Sequence, residues 1–156
     1  MKRNNKAPVI LSLIIGGVFV LLLLAISLIL PPLVRSLLSA PDLIGDRQNL
    51  PPAIPILILV LSYAAIAVAL CAVALLFGLL SLVNRGRVFS ASATRLLSFI
   101  SLCCFAEGVI FLAIGIWFQL ALILCAAAVF LGLCLHIVSN VIAEATRYKT
   151  ENDLTV

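Results

Sequence analysis

Three stretches of this chain are free of charge over lengths that no water-soluble element requires: residues 7–34, residues 48–84, and residues 96–143, the last broken only by Glu107. A helix rises about 1.5 Å per residue and the hydrocarbon core of a bilayer is about 30 Å thick, so roughly 20 apolar residues suffice to cross it. With 65% hydrophobic and 10% charged residues over 156 positions, too few polar groups remain to clothe a soluble domain. The chain therefore reads as an all-α integral membrane protein. Its expected architecture is one four-helix bundle with both termini cytoplasmic.

The spans are expected near residues 8–30, 54–83, 96–116 and 119–142. Residues 96–142 as a single helix would be about 70 Å long, roughly twice the bilayer core, so the chain must turn back within them. The sequence "GIWFQ" at 115–119 is the expected turn, because Trp117 and Phe118 suit a membrane–water interface and Gln119 is polar. With four spans, Lys2, Arg3, Lys6, Arg85, Arg87, Arg95, Arg147 and Lys149 fall on one side, against Arg35 and Arg47 on the other. By the positive-inside rule the majority side is cytoplasmic, which places loop 84–95 and tail 143–156 inside and loop 31–53 outside. The basic leader and the long apolar run after it read as an uncleaved first helix, since the run exceeds a signal peptide's apolar core and no small-residue cleavage pattern follows closely. The net charge of +4 then reflects orientation and lipid contact, with no direct nucleic-acid binding.

In the outer loop, the pairs Pro31–Pro32 and Pro51–Pro52 are expected to stop the flanking helices. Between them Leu33, Val34, Leu37 and Leu38 share a helical face suited to a short surface helix that caps the bundle. Small residues four apart mark close helix approaches: Ser12 and Gly16, Ala65 and Ala69, Ala74 and Gly78, Ala128 and Gly132. On the last span that row continues through His136 to Asn140, so this face is expected to point into protein. Cys71, Cys103, Cys104, Cys125 and Cys134 form no CxxC and read as small packing residues. His136 stands alone, without an acid three or four residues away, and reads as an interhelical hydrogen-bonding group; no metal site or cofactor is expected.

Glu107 is the chemical anomaly. Counted back from the turn at Gly115 it lies about 12 Å below the outer boundary, near the midplane, where an ionised carboxylate is strongly disfavoured. It is expected to be protonated, to face the bundle interior, and to share hydrogen bonds with groups at similar depth. Tyr63, nine residues into the second span, is the first choice, with Ser62 beside it; His136 joins if the turn is displaced by three residues. Two roles are open: a neutral lock between helices, or a site that titrates.

At the opposite edge, "GRVFS" at 86–90 and "NVIAEATRYKTENDLTV" at 140–156 resemble the bacterial membrane family catalogued as domain of unknown function 2975. The resemblance implies a small four-span protein of the bacterial cytoplasmic membrane, often encoded beside a helix-turn-helix regulator and without an agreed activity. The resemblance implies acidic residues and an asparagine after the "VFS"-type stretch in many relatives, where this chain has "ASAT" at 91–94.

The tail offers a docking element of its own. The last helix can run on through "AEATRYK", with Glu144 and Arg147 placed to pair. The final "TENDLTV" alternates Leu154 and Val156 with polar neighbours, as a strand added to a partner's edge would, or it can fold back on Val88 and Phe89. Val88, Phe89 and Ser90, with Glu151, Asn152, Asp153, Leu154 and Val156, are the expected partner-binding residues. The expected partner is a cytoplasmic transcriptional regulator, another membrane protein or a second copy of the chain, besides the lipid bilayer itself. Six acids and one histidine assemble no Ser/His/Asp set, phosphate loop or carboxylate pair, so a non-enzymatic interaction or regulatory component is expected. The alternative is a small proton-coupled transporter or channel subunit that uses Glu107.

Overall fold

A computed structural model describes residues 6–38, 53–84 and 90–153, with side chains for 10–36, 53–84 and 90–148. Four helices appear: α1 (Lys6–Leu38), α2 (Ala53–Asn84), α3 (Ala91–Gly115) and α4 (Gln119–Asp153). All four are long and apolar enough to cross a membrane. The turn expected at 115–119 is present: α3 ends at Gly115, and the Trp117 and Phe118 N–H groups both donate to Ile114 O at 3.0 Å before α4 begins at Gln119. Ser90 opens α3 as its N-cap, accepting from the Ala93 N–H at 3.3 Å.

The four helices do not close on themselves. Each packs only on its neighbours in sequence, α1 on α2, α2 on α3 and α3 on α4, and among the described residues no other pair of helices approaches within 8 Å between Cα atoms. The result is an open antiparallel row rather than the expected closed bundle. It curls at the Trp117 end, where Leu30 and Val34 of α1 and Ile58 of α2 form a buried cluster against which Trp117 and Phe118 pack.

Proline does not end α1. The helix passes through Pro31 and Pro32 and continues to Leu38, so residues 33–38 are its last turns and no separate surface helix begins there. Pro31 has no N–H to give to Ser27 O, four residues back, and in lipid an orphaned carbonyl is costly. Tyr63 of α2 supplies the missing donor: its hydroxyl donates to Ser27 O at 3.1 Å. On α2, Pro55 lies in the first turn, where N–H groups have no intrahelical acceptor and its missing donor costs little. Residues 39–52, including Pro51 and Pro52, lie outside the described residues.

Small residues set the spacing of the row. A Cβ at Gly16 would fall 2.6 Å from the Phe77 ring, and one at Gly108 would fall 2.7 Å from Val129 Cγ2, so each backbone there lies directly under a neighbour's side chain. On α4 the covered face runs Cys125, Ala128, Gly132, Leu135, Ser139, Ile142, alternating steps of three and four. The expected row through His136 and Asn140 leaves the interface, and both residues are exposed. Repeated steps of four rotate about 40° each around a helix of 3.6 residues per turn, so only Ala128 and Gly132 of that row stay on the seam.

Candidate functional site

Glu107 lies on the α2-facing side of α3. Both carboxyl oxygens are buried, and neither has a hydrogen-bond partner among the described residues. The carboxyl faces the Ala69 backbone of α2 without reaching hydrogen-bond geometry. The Ala69 N–H lies within a continuous helix and is spoken for by the carbonyl four residues back, so it is a poor substitute for a side-chain partner. Cys103 and Cys104 lie one turn away on α3, and Cys71 of α2 is within reach of the Cys103 thiol. Cys104 instead faces Gly132 of α4. All five cysteines are free thiols.

The polar residues expected to meet Glu107 do not converge on it. Tyr63 serves Ser27 O, Ser62 Oγ donates to Ile58 O at 2.8 Å within its own helix, and His136 is exposed on α4. The physical reason is the origin from which depth is counted. The α3–α4 turn packs level with Ile58, five residues inside α2. From there Ala69 is about 16 Å down α2 and Glu107 about 15 Å down α3, which makes those two neighbours. Tyr63 lies a good turn higher and about 120° around α2, on the side that meets α1.

The polar network of the row lies elsewhere, along the α3–α4 seam. Ser139 Oγ donates to Thr94 O at 3.2 Å, so its 2.8 Å contact with Ser98 Oγ is one in which Ser98 donates. Ser101 Oγ donates to Gly132 O at 2.8 Å. Ser101 and Ser139 are each 1% exposed, the most buried polar side chains described. Their signal was present in sequence as Thr94, Ser98 and Ser101, one helical face spaced four and three.

Of the expected docking residues, Ser90 is engaged as the α3 cap, while Val88, Phe89, Leu154 and Val156 lie outside the described residues. Glu151, Asn152 and Asp153 form the end of α4 and are helical, which corrects the extended reading of "TEND". The Glu144–Arg147 pair forms at 3.1 Å, Arg147 lies 5.7 Å from the Tyr148 ring centroid, and Thr146 Oγ1 donates to Ile142 O at 2.7 Å. These local contacts carry the helix beyond its apolar part. With 35 residues α4 is about 52 Å long and outruns the bilayer core by about 20 Å. No group of three or more His, Cys, Asp or Glu that could hold a metal occurs among the described residues.

Four apolar antiparallel helices, each long enough to cross a membrane, define a multi-pass helical membrane protein. A family model described as a protein of unknown function (DUF2975) matches residues 46–156. The chain belongs to that family, with α2, α3 and α4 inside the matched region and α1 before it. Neither the curated proteins nor the solved structures provide a match.

Proposed function

We propose that the protein is a non-enzymatic interaction or regulatory component of the bacterial cytoplasmic membrane, with a partner docked on the open row and the projecting arm of α4. The observation that carries this reading is the unclosed row. Helices α1 and α4 each pack against a single neighbour and present large apolar side chains outward, among them Leu21 and Leu28 on α1 and Leu120 and Phe130 on α4. With no second helix across them, these outer faces are where another membrane helix, from a different protein or a second copy, has room to pack, through van der Waals contact. The eight-to-two distribution of Lys and Arg supports cytoplasmic termini, which would offer the α4 arm to a soluble partner such as a helix-turn-helix regulator.

The test is isolation of the full chain from native membranes in polymer-bounded lipid discs, with and without residues 151–156. A stoichiometric partner that is lost on truncation, while the chain still accumulates in the membrane, supports the reading. A chain that runs alone and monomeric in both forms overturns it. Thiol labelling at position 46 reports orientation: modification from the cytoplasmic side only would invert the assignment.

A second reading is favoured by one observation, the burial of both Glu107 oxygens without a partner. Intramembrane carboxyls serve as proton relays in transporters, and Glu107 has no competing hydrogen bond among the described residues to hold it in one state. Reconstituted protein that dissipates a pH gradient, with Glu107→Gln inactive yet folded, would place the chain in that class.

A further inference from the structure

A groove of about 1030 Å³ opens between α3 and α4 at the end of the row that carries the termini. Its inner wall is apolar, formed by Phe99, Leu102 and Phe105 of α3, with Phe99 and Leu102 more than half exposed. Its rim is basic, with Arg95 from α3 and Arg147 from α4. From Arg95 to Phe105 the groove descends about 15 Å along α3, half the thickness of a bilayer core, or one leaflet. His136 of α4 lines the groove between the levels of the Ser98–Ser139 and Ser101–Gly132 contacts, about 6–8 Å below Arg95.

We propose that this groove is a binding site for an anionic phospholipid of the leaflet facing the termini. The acyl chains lie along Phe99, Leu102 and Phe105, and Arg95 and Arg147 hold the headgroup phosphate. Three features match that ligand. The length of the apolar wall equals one leaflet. The charge is concentrated where headgroups lie. Exposed Phe99 and Leu102 leave the groove open along the flank of the row, so a phospholipid would enter without leaving the bilayer. Behind the groove, Ser139, Ser98 and Thr94 pin α3 to α4 within about a turn of Arg95. Arginine suits the task because its planar fork engages phosphate oxygens in pairs and its long stem lies along apolar surface. Glu144 is the one acid at the rim among the described residues, and its ion pair with Arg147 competes with a phosphate for the same guanidinium.

The experiment uses the full chain in nanodiscs of phosphatidylcholine containing a small fraction of spin-labelled phosphatidylglycerol or spin-labelled phosphatidylcholine, with the immobilised fraction of each read by electron spin resonance. Phosphatidylglycerol should be enriched at the protein several-fold over phosphatidylcholine, and the preference should shrink as salt is raised. Arg95→Gln combined with Arg147→Gln should bring the two lipids to parity. Arg95→Lys should retain most of the preference, Glu144→Gln should increase it, and Arg35→Gln, at the other end of α1, should leave it unchanged. Enrichment that survives the double arginine substitution, or that falls equally with Arg35→Gln, overturns the proposal. So does a cross-link between two copies carrying Leu102→Cys, formed at stoichiometric yield through that position, which would show that the groove is filled by protein.

Discussion

Tyr63 and Pro31 should be thermodynamically coupled although they lie on different helices. Pro31 removes the N–H that Ser27 O would otherwise accept, and the Tyr63 hydroxyl replaces it at 3.1 Å. Tyr63→Phe keeps the ring and its packing, and Tyr63 is 42% exposed, so the change isolates the hydroxyl. Interhelical hydrogen bonds in membranes average about 0.6 kcal/mol and reach about 1.7, and a carbonyl left without any donor pushes the cost toward the upper value, so a loss of about 1 kcal/mol is expected. In a Pro31→Ala background the position-31 N–H serves Ser27 O from within α1. Tyr63→Phe should then cost only a few tenths of a kcal/mol, a coupling of about 0.7 kcal/mol across the cycle. Reversible unfolding in mixed micelles provides the assay. Trp117 is the only tryptophan of the chain and packs against the Leu30–Val34–Ile58 cluster close to this contact, so its fluorescence reports the transition. Equal costs in the two backgrounds, within about 0.3 kcal/mol, would refute the account of Tyr63 as the donor that proline displaced.

Glu107→Leu should leave the stability of the isolated chain unchanged or raise it by about 1 kcal/mol, because it removes two buried oxygens that have no partner to lose; a fall of that size in the same unfolding assay would reveal a bonded carboxyl. Ser139→Ala should cost about 1–2 kcal/mol, since Thr94 O and the Ser98 hydroxyl both lose their partner, and Ser101→Ala should cost less because it serves one acceptor. Gly108→Val should cost about 1–3 kcal/mol through collision with Val129, and Val129→Ala in the same chain should restore part of that loss.

Span number and the α3–α4 turn were readable from sequence because they follow from chain length against bilayer thickness, and from Trp117 and Phe118 as residues that a turn at an interface can use. The inward orientation of Glu107 was readable for a similar reason, since lipid offers a carboxyl no compensation. Its neighbours were not. Depth alone ranks Tyr63 and Ala69 only if the outer end of α2 is known, and α2 begins five residues above the level of the turn. Azimuth then decides, and a difference of six residues turns a side chain toward a different helix. The path of α1 through Pro31 and Pro32 was hidden for a related reason: proline is compatible with a helix in lipid when another helix provides the lost donor, and that donor is 36 positions away in sequence. The α4 seam was misread through His136 because a strict step of four follows a helix stripe only briefly, whereas the alternation ending at Ser139 follows it throughout.

The sequential row also bears on how the chain is made. Each new helix packs on the one synthesised just before it, so no helix pair has to wait for a later helix, and only the Trp117–Phe118 turn closes back on α1 afterwards. The α1–α2 hairpin, with Gly16 under Phe77 and Tyr63 on Ser27, can adopt its final packing while residues beyond Asn84 are still unmade. Assembly of this protein in the bilayer is then a series of local dockings in the order of translation. A ribosome-stalled chain ending shortly after α2 should already show the protected Tyr63–Ser27 contact of the finished molecule.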